Sequence, residues 1–288
     1  MRASFKTRPQ HSGWEPILDF WREGDRIDLF EAGWTYDHFI PIVGGGKPGL
    51  VGSGSGPVLE GWTMLAALSG HVHRVRLGIL VTGNTYRHPA VLANMAATVD
   101  VVSGGRLELG LGTGWVEEEH TAYDIPLPPW KERFDRLEET CAIVHSLLTN
   151  EVTDFEGPFH RLRGARCEPK PIQKPRPPIV IGGSGEKRTL RIAARWADQW
   201  NLPGGEPEVL ARKIEVLHRH CADVGRDPAE IEVSVKMKAD GDPGEFSELA
   251  ARYREAGARH IIAQFSAPFE PAKLGALADR LAPVITQA

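Results

Sequence analysis

Short runs rich in apolar and β-branched residues alternate along the chain with segments whose apolar positions recur every three or four residues. Eight runs read as strands, over residues 4–8, 29–34, 75–81, 107–111, 179–182, 198–202, 231–238 and 259–265. Each is short and almost continuously apolar, as parallel strands buried on both faces are. Helical spacing fills the gaps. Phe134, Leu137, Cys141, Val144 and Leu148 form one stripe, with charged residues between them. Leu210, Ile214, Leu217, Cys221 and Val224 form a second, stopping before Gly225, a residue suited to ending a helix. Leu92, Met95, Val99 and Val102 form a third, after Pro89 at a helix start. Strand–helix alternation repeated eight times predicts an α/β fold with a parallel sheet. Eight units favour closure into a single (β/α)8 TIM barrel spanning residues 1–288.

Two segments break the rhythm. Residues 44–56, GGGKPGLVGSGSG, lie between the second strand and its helix and predict a loop over the barrel mouth with a lid or access role. Residues 151–178 contain Gly157-Pro158 at a turn and then five prolines from Pro169 to Pro178. They predict a small hairpin insertion followed by an extended connector into the fifth strand.

Composition narrows the function classes. The chain has 288 residues, with 34 Lys and Arg against 38 Asp and Glu and a net charge of −4. That balance disfavours a nucleic-acid or anionic-membrane partner and leaves small molecules. The three cysteines, Cys141, Cys167 and Cys221, have neither disulfide-framework nor C-x-x-C spacing, so no metal site is expected. With no apolar leader and no long apolar run, a cytoplasmic location without a membrane span is the expectation.

Barrel chemistry sits at the C-terminal ends of the strands. After the second strand come Asp37 and His38; a carboxylate beside a histidine can orient it for proton transfer or for polarising a carbonyl. The third strand ends Leu80-Val81-Thr82-Gly83-Asn84, small polar residues around a glycine where backbone can approach a flat ligand. The fourth ends Gly110-Leu111-Gly112-Thr113-Gly114-Trp115. This is G-x-G-x-G rather than the dinucleotide fingerprint. Trp115 is placed either to stack on a ring or to plug the mouth. The fifth strand runs into Gly182-Gly183-Ser184-Gly185, with a helix expected from Glu186. Such a turn offers backbone N–H groups to a phosphate, and Lys187 and Arg188 add positive charge. The acidic run Glu117-Glu118-Glu119 reads as the solvated start of a helix.

Together, Asp37-His38-Phe39, the stretch from Leu77 to Trp115, and the proline-rich entry from Pro169 to Gly183 resemble the luciferase-like monooxygenase superfamily, in its coenzyme F420-dependent oxidoreductase branch. The resemblance implies a flavin or deazaflavin held in the barrel mouth. It implies a non-proline cis peptide at Leu80–Val81 under the ring, a cofactor phosphate against Gly182, Gly183 and Ser184, and Asp37 and His38 beside the reacting centre. Leu80, Val81, Thr82, Asn84, Gly112, Thr113 and Gly114 are then cofactor-binding candidates. The implied function is hydride transfer between F420 and a small organic substrate. The alternatives are an FMN-dependent monooxygenase and a non-catalytic flavin-binding barrel. Family members often form homodimers, which makes one possible here. Members that oxidise sugar phosphates carry a Glu where this chain has Trp115, which disfavours that substrate. The short stretch after the seventh strand implies a more open pocket than in members with a long insertion there.

Overall fold

The computed structural model describes residues 1–43 and 52–286. Eight parallel strands close a barrel: β1 (Arg2–Thr7), β2 (Phe30–Thr35), β3 (Arg76–Gly83), β4 (Leu107–Gly112), β5 (Ile179–Gly182), β6 (Gln199–Leu202), β7 (Glu232–Lys238) and β8 (His260–Phe265). Each strand pairs with its neighbours in chain order, and β8 returns to β1. The eight predicted runs are these strands, displaced by a residue or two at their ends.

The helices are α1 (Trp14–Arg26), α2 (Gly61–Ser69), α3 (Pro89–Val102), α4 (Glu117–Ala122), α5 (Trp130–Thr149), α6 (Thr189–Trp196), α7 (Pro207–Val224), α8 (Pro243–Glu255) and α9 (Ala272–Thr286). Pro89 opens α3 and Gly225, at φ 68°, ends α7, as expected from backbone preference. On α3 the buried face is shifted from the predicted stripe: Ala93, Ala96, Ala97 and Asp100 pack inward, and Val102 is exposed. The small alanines let α3 approach its neighbours closely.

Alternation along the strands separates two apolar layers. Outward residues such as Ala3, Phe5, Val235, Ile261 and Ala263 join the main core under the helices. Inside the barrel, Ala32, Trp34, Leu80, Val180 and Ile262 form a smaller cluster. The N-terminal end of the barrel is closed by ions. Arg2 reaches Glu108 and Glu232, each at 2.8 Å, and Arg76 reaches Glu108 at 2.6 Å.

The hairpin insertion is present, Thr153–Glu156 pairing antiparallel with Arg161–Ala165. The connector after it is tied to the barrel by Gln173, which donates to Asp100 at 2.6 Å and to the Leu107 carbonyl at 2.8 Å. Between β7 and α8 only residues 239–242 intervene. Of the segment predicted as a lid, residues 44–51 lie outside the described residues. Residues 52–53 pair antiparallel with residues 42–43. Among the described residues no helix is long and apolar enough to cross a membrane.

Candidate active site

At the C-terminal end of the barrel lies a cavity of about 960 Å³. Its floor is made at a bulge. Ile79 of β3 faces Leu109 of β4 and Thr82 faces Leu111, so Leu80 and Val81 together stand opposite Gly110. The Leu80–Val81 peptide bond is cis. Both residues line the cavity. Val81 needs room, and three glycines supply it. A Cβ on Gly112 would stand 2.6 Å from a Val81 methyl, one on Gly182 2.8 Å from the other, and one on Gly110 1.9 Å from the Ile79 carbonyl oxygen. The G-x-G of β4 and the glycine that ends β5 are thus explained by packing against Val81 and the Ile79 carbonyl.

Gly112, Thr113, Gly114, Gly182, Gly183 and Ser184 also line the cavity, as the sequence predicts. Thr82 and Asn84 do not. The Thr82 hydroxyl accepts a 2.8 Å bond from the Trp62 indole, and the Asn84 amide donates to the Arg133 carbonyl at 3.1 Å. Both are buried, fastening β3 to α2 and α5. The extra residue of the bulge reverses the alternation, so Thr82 points outward to α2 although Leu80, two residues before it, faces the barrel interior.

The turn after β5 differs from expectation at its far end. Helix α6 begins at Thr189, later than the predicted Glu186. Arg188 turns away to pair with Asp135 of α5, and Lys187 is exposed; neither lines the cavity. The positive charge read as part of an anion site is therefore elsewhere. What lines the cavity here is residues 182–185 and Thr189. Gly183, at φ 133°, donates its N–H to the Asn201 carbonyl at 3.0 Å. Lys213 of α7 holds the turn from behind, donating to the Ser184 carbonyl at 2.7 Å. A glycine-rich turn leading into a helix suits an anionic oxygen group without a side-chain cation.

The histidine is oriented differently from expectation. Asp37 is fully buried and binds Arg87 through both oxygens, at 2.5 and 3.1 Å; Arg87 also reaches Glu60 at 2.6 Å. Burial pushes the Asp37 carboxyl up, against the pull of Arg87. The partner of His38 is Glu119, whose carboxylate accepts from Nδ1 at 2.9 Å. Glu119, expected on a solvated helix start, has no exposed surface. It also accepts from the Tyr86 hydroxyl and from the backbone N–H groups of Phe39 and Ile40. Burial pushes Glu119 up, but the bonds from His38, Tyr86 and Phe39 outweigh it and hold the carboxyl below its ordinary range. Burial and the adjacent Glu119 push the Tyr86 phenol up, so it remains a donor.

A carboxylate can only accept, so the Nδ1 proton of His38 faces Glu119 and Nε2 is left for the cavity. Trp115 stands edge-on to the His38 ring, with centroids 5.9 Å apart, and lines the cavity wall. Behind this group His120 stacks on Tyr86 at 5.0 Å and donates from Nδ1 to the Val116 carbonyl at 2.6 Å. The sequence signal for Glu119 was the E-E-E-H run itself. Three successive helical residues fan over about 200° and do not share one face; here Glu119 is the one turned inward.

Comparison with known proteins supplies relatives. Residues 6–240 match the model of the family described as luciferase-like monooxygenase. The F420-dependent glucose-6-phosphate dehydrogenase of Microbacterium testaceum is 30% identical over 252 residues, 86% of this chain and 71% of that one. Among solved structures, an F420-dependent secondary alcohol dehydrogenase in complex with an F420-acetone adduct superposes with a TM-score of 0.80 at 16% identity, over the whole of both chains. A monooxygenase from Streptomyces bottropensis gives a TM-score of 0.76 at 22% identity, over 98% of this chain and 99% of that one.

Proposed function

Because the chain belongs to the luciferase-like monooxygenase family, we propose that it is an oxidoreductase moving hydride between coenzyme F420 and a small organic substrate. One observation carries the reading. A single cavity brings together the Leu80–Val81 floor, the glycine turn of residues 182–185 and His38, whose Nε2 has no hydrogen-bond partner among the described residues. The glycines at 110, 112 and 182 let Val81 settle into the floor, and Leu80, Val81 and the glycine-rich turn line one cavity, which fits a flat ring above the floor and a phosphate at the turn. When bound, the deazaflavin ring supplies a two-electron donor or acceptor.

The chain's own residues do the rest. Leu80, Val81 and the glycines would support the ring. Ser184, Gly185 and Thr189 would hold the phosphate. His38 Nε2 takes a proton from a substrate hydroxyl in the oxidising direction and returns it in the reducing one. Glu119 fixes the ring tautomer through Nδ1 and stabilises the imidazolium formed when Nε2 takes the proton. Asp37 acts at one remove. Paired with Arg87, it anchors the backbone that carries His38.

The second reading is FMN, with oxygen chemistry. The turn favours neither cofactor, since both present a phosphate to it. Titrating cofactor-free protein with F420 and with FMN, followed by visible absorbance, tests the choice. We expect F420 to bind and to support turnover. Binding of FMN alone would overturn the F420 assignment, and binding without turnover on any donor or acceptor would leave a carrier barrel.

A further inference from the structure

Across the barrel from the glycine turn, the cavity wall formed by β7, β8 and β1 carries cations. Lys6, Arg8, Lys236 and Lys238 all line the cavity. Ala3 and Phe5 of β1, and Val235 and Met237 of β7, join the outer core, so alternation turns Lys6, Lys236 and Lys238 inward. Lys6 and Lys238 are both in register with Gln264 of β8, one from each side. Two strand spacings put their backbones about 10 Å apart, within reach of one small anion for side chains this long.

The cluster is poorly neutralised. Lys6 is 4% exposed, and among the described residues its ammonium has only Gln264 Oε1 at 3.4 Å and the Tyr36 ring at 5.6 Å. Arg8 donates to the Ile42 carbonyl and to Gln10. Burial first, then the charges of Lys236 and Arg8, pushes the Lys6 ammonium down, and burial, then Arg8 and Lys238, does the same to Lys236; a bound anion would offset both. Three carboxylates share the cavity, Asp37, Asp242 and Glu245. Asp37 is held by Arg87, and Asp242 caps α8 through the N–H groups of Gly244 and Glu245. Glu245 stands in the first turn of that helix, where the dipole favours an acid. Among the described residues no carboxylate forms an ion pair with any of the four cations. Residues 44–51 and 287–288 contain no Asp or Glu. Buried cations without a counter-ion disfavour the folded state unless something else neutralises them.

We propose that this wall is the subsite for an anionic group on the substrate, a carboxylate, sulfonate or phosphate. It would sit on Lys6, Lys236 and Lys238, with Arg8 behind. The barrel order places β1, β7 and β8 opposite β3 to β5, so the wall is distinct from the floor and the glycine turn. Assigning the anion to substrate rests on the redox reading above; the existence of the subsite does not.

The test uses inorganic sulfate as probe. Cofactor-free protein is titrated calorimetrically, wild type against Lys6→Met, Lys236→Met and Lys238→Met. Methionine keeps an apolar stem, and Lys238 is exposed, so at least that variant is expected to fold. Sulfate affinity should fall roughly tenfold or more in each, as loss of a charge-assisted bond does. Affinity for F420 and FMN should stay within about twofold, as for sites that share no partners. Unchanged sulfate binding in the variants, or none in the wild type, overturns the proposal. A parallel loss of cofactor affinity reassigns the wall to the cofactor and overturns the substrate assignment. Lysine-dependent sulfate binding in a protein that binds neither cofactor would keep the subsite and sink the redox reading.

Discussion

The carboxylate that meets the His38 ring is Glu119 rather than Asp37. It collects four donors, from His38, Tyr86, Phe39 and Ile40, with no exposed surface of its own. Glu119→Gln keeps the shape but lacks the charge that stabilises a protonated His38. We expect kcat to fall about tenfold or more, in the range of general acid–base effects. The cofactor dissociation constant should hardly move; a loss confined to cofactor affinity would make Glu119 structural only. His38→Ala should reduce turnover further, again with cofactor affinity retained. Steady-state kinetics at saturating cofactor reads both.

A second residue-scale prediction concerns pH. Burial, then the charges of Arg8 and Lys238, lower Lys236 to about 8. Its unfolded value is higher, so between about pH 8 and the ordinary lysine range near 10.5 the unfolded chain binds more protons. Stability contributed at this site therefore rises as pH climbs through that window, and the unfavourable charge is fully present below it. At pH 7, Lys236→Met should be more stable than wild type by about 1–2 kcal/mol, discounted for screening. The difference should shrink by pH 10.5. Urea unfolding at the two pH values measures it; a difference independent of pH would refute the account.

At the scale of elements, the bulge in β3 and the glycines of β4 and β5 form one packing unit. Gly112→Ala and Gly182→Ala each push a methyl against Val81. Each should cost about 1–3 kcal/mol, as overpacking does, and displace the floor on which a ring would lie. Val81→Ala removes the colliding methyls, so the double variant Gly112→Ala/Val81→Ala should regain most of the stability lost by Gly112→Ala. Thermal melts of the three proteins test this. Because strand alternation and helix periodicity are local properties, all eight strands and the hairpin at Gly157-Pro158 were legible in the sequence. The start of α6 was not. Residues 186–188 have helix-compatible identities, and only the pairing of Arg188 with Asp135 on another helix shows where that side chain goes.

Over the whole molecule, the two ends of the barrel handle charge in opposite ways. The N-terminal end pairs its ions. Glu108, 2% exposed, lies between Arg2 and Arg76, and Arg2 also reaches Glu31 and Glu232. The C-terminal end leaves Lys6, Lys236 and Lys238 without carboxylate partners among the described residues. This division follows the barrel rule that stability resides at one end and chemistry at the other. Arg2→Met should therefore destabilise by about 1–3 kcal/mol, because Glu108 keeps only Arg76. It should leave cofactor affinity untouched. A variant with normal stability and impaired binding would contradict the division.

The sequence by itself determined the barrel, the insertion, the cis pair at Leu80–Val81 through family likeness, and ten of the residues that line the cavity, from Asp37 to Ser184. These follow from local periodicity and from motifs contiguous in the chain. Tertiary structure alone decided which side chains meet. Asp37 and His38 are neighbours in sequence, yet one goes to Arg87 and the other to Glu119, 81 positions away. Adjacent side chains beyond a strand end diverge, whereas barrel closure gathers strand ends distant in sequence around one mouth. The same closure sets Lys6 of β1 and Lys238 of β7 on either side of Gln264. No local pattern near either lysine could have shown that they share a wall.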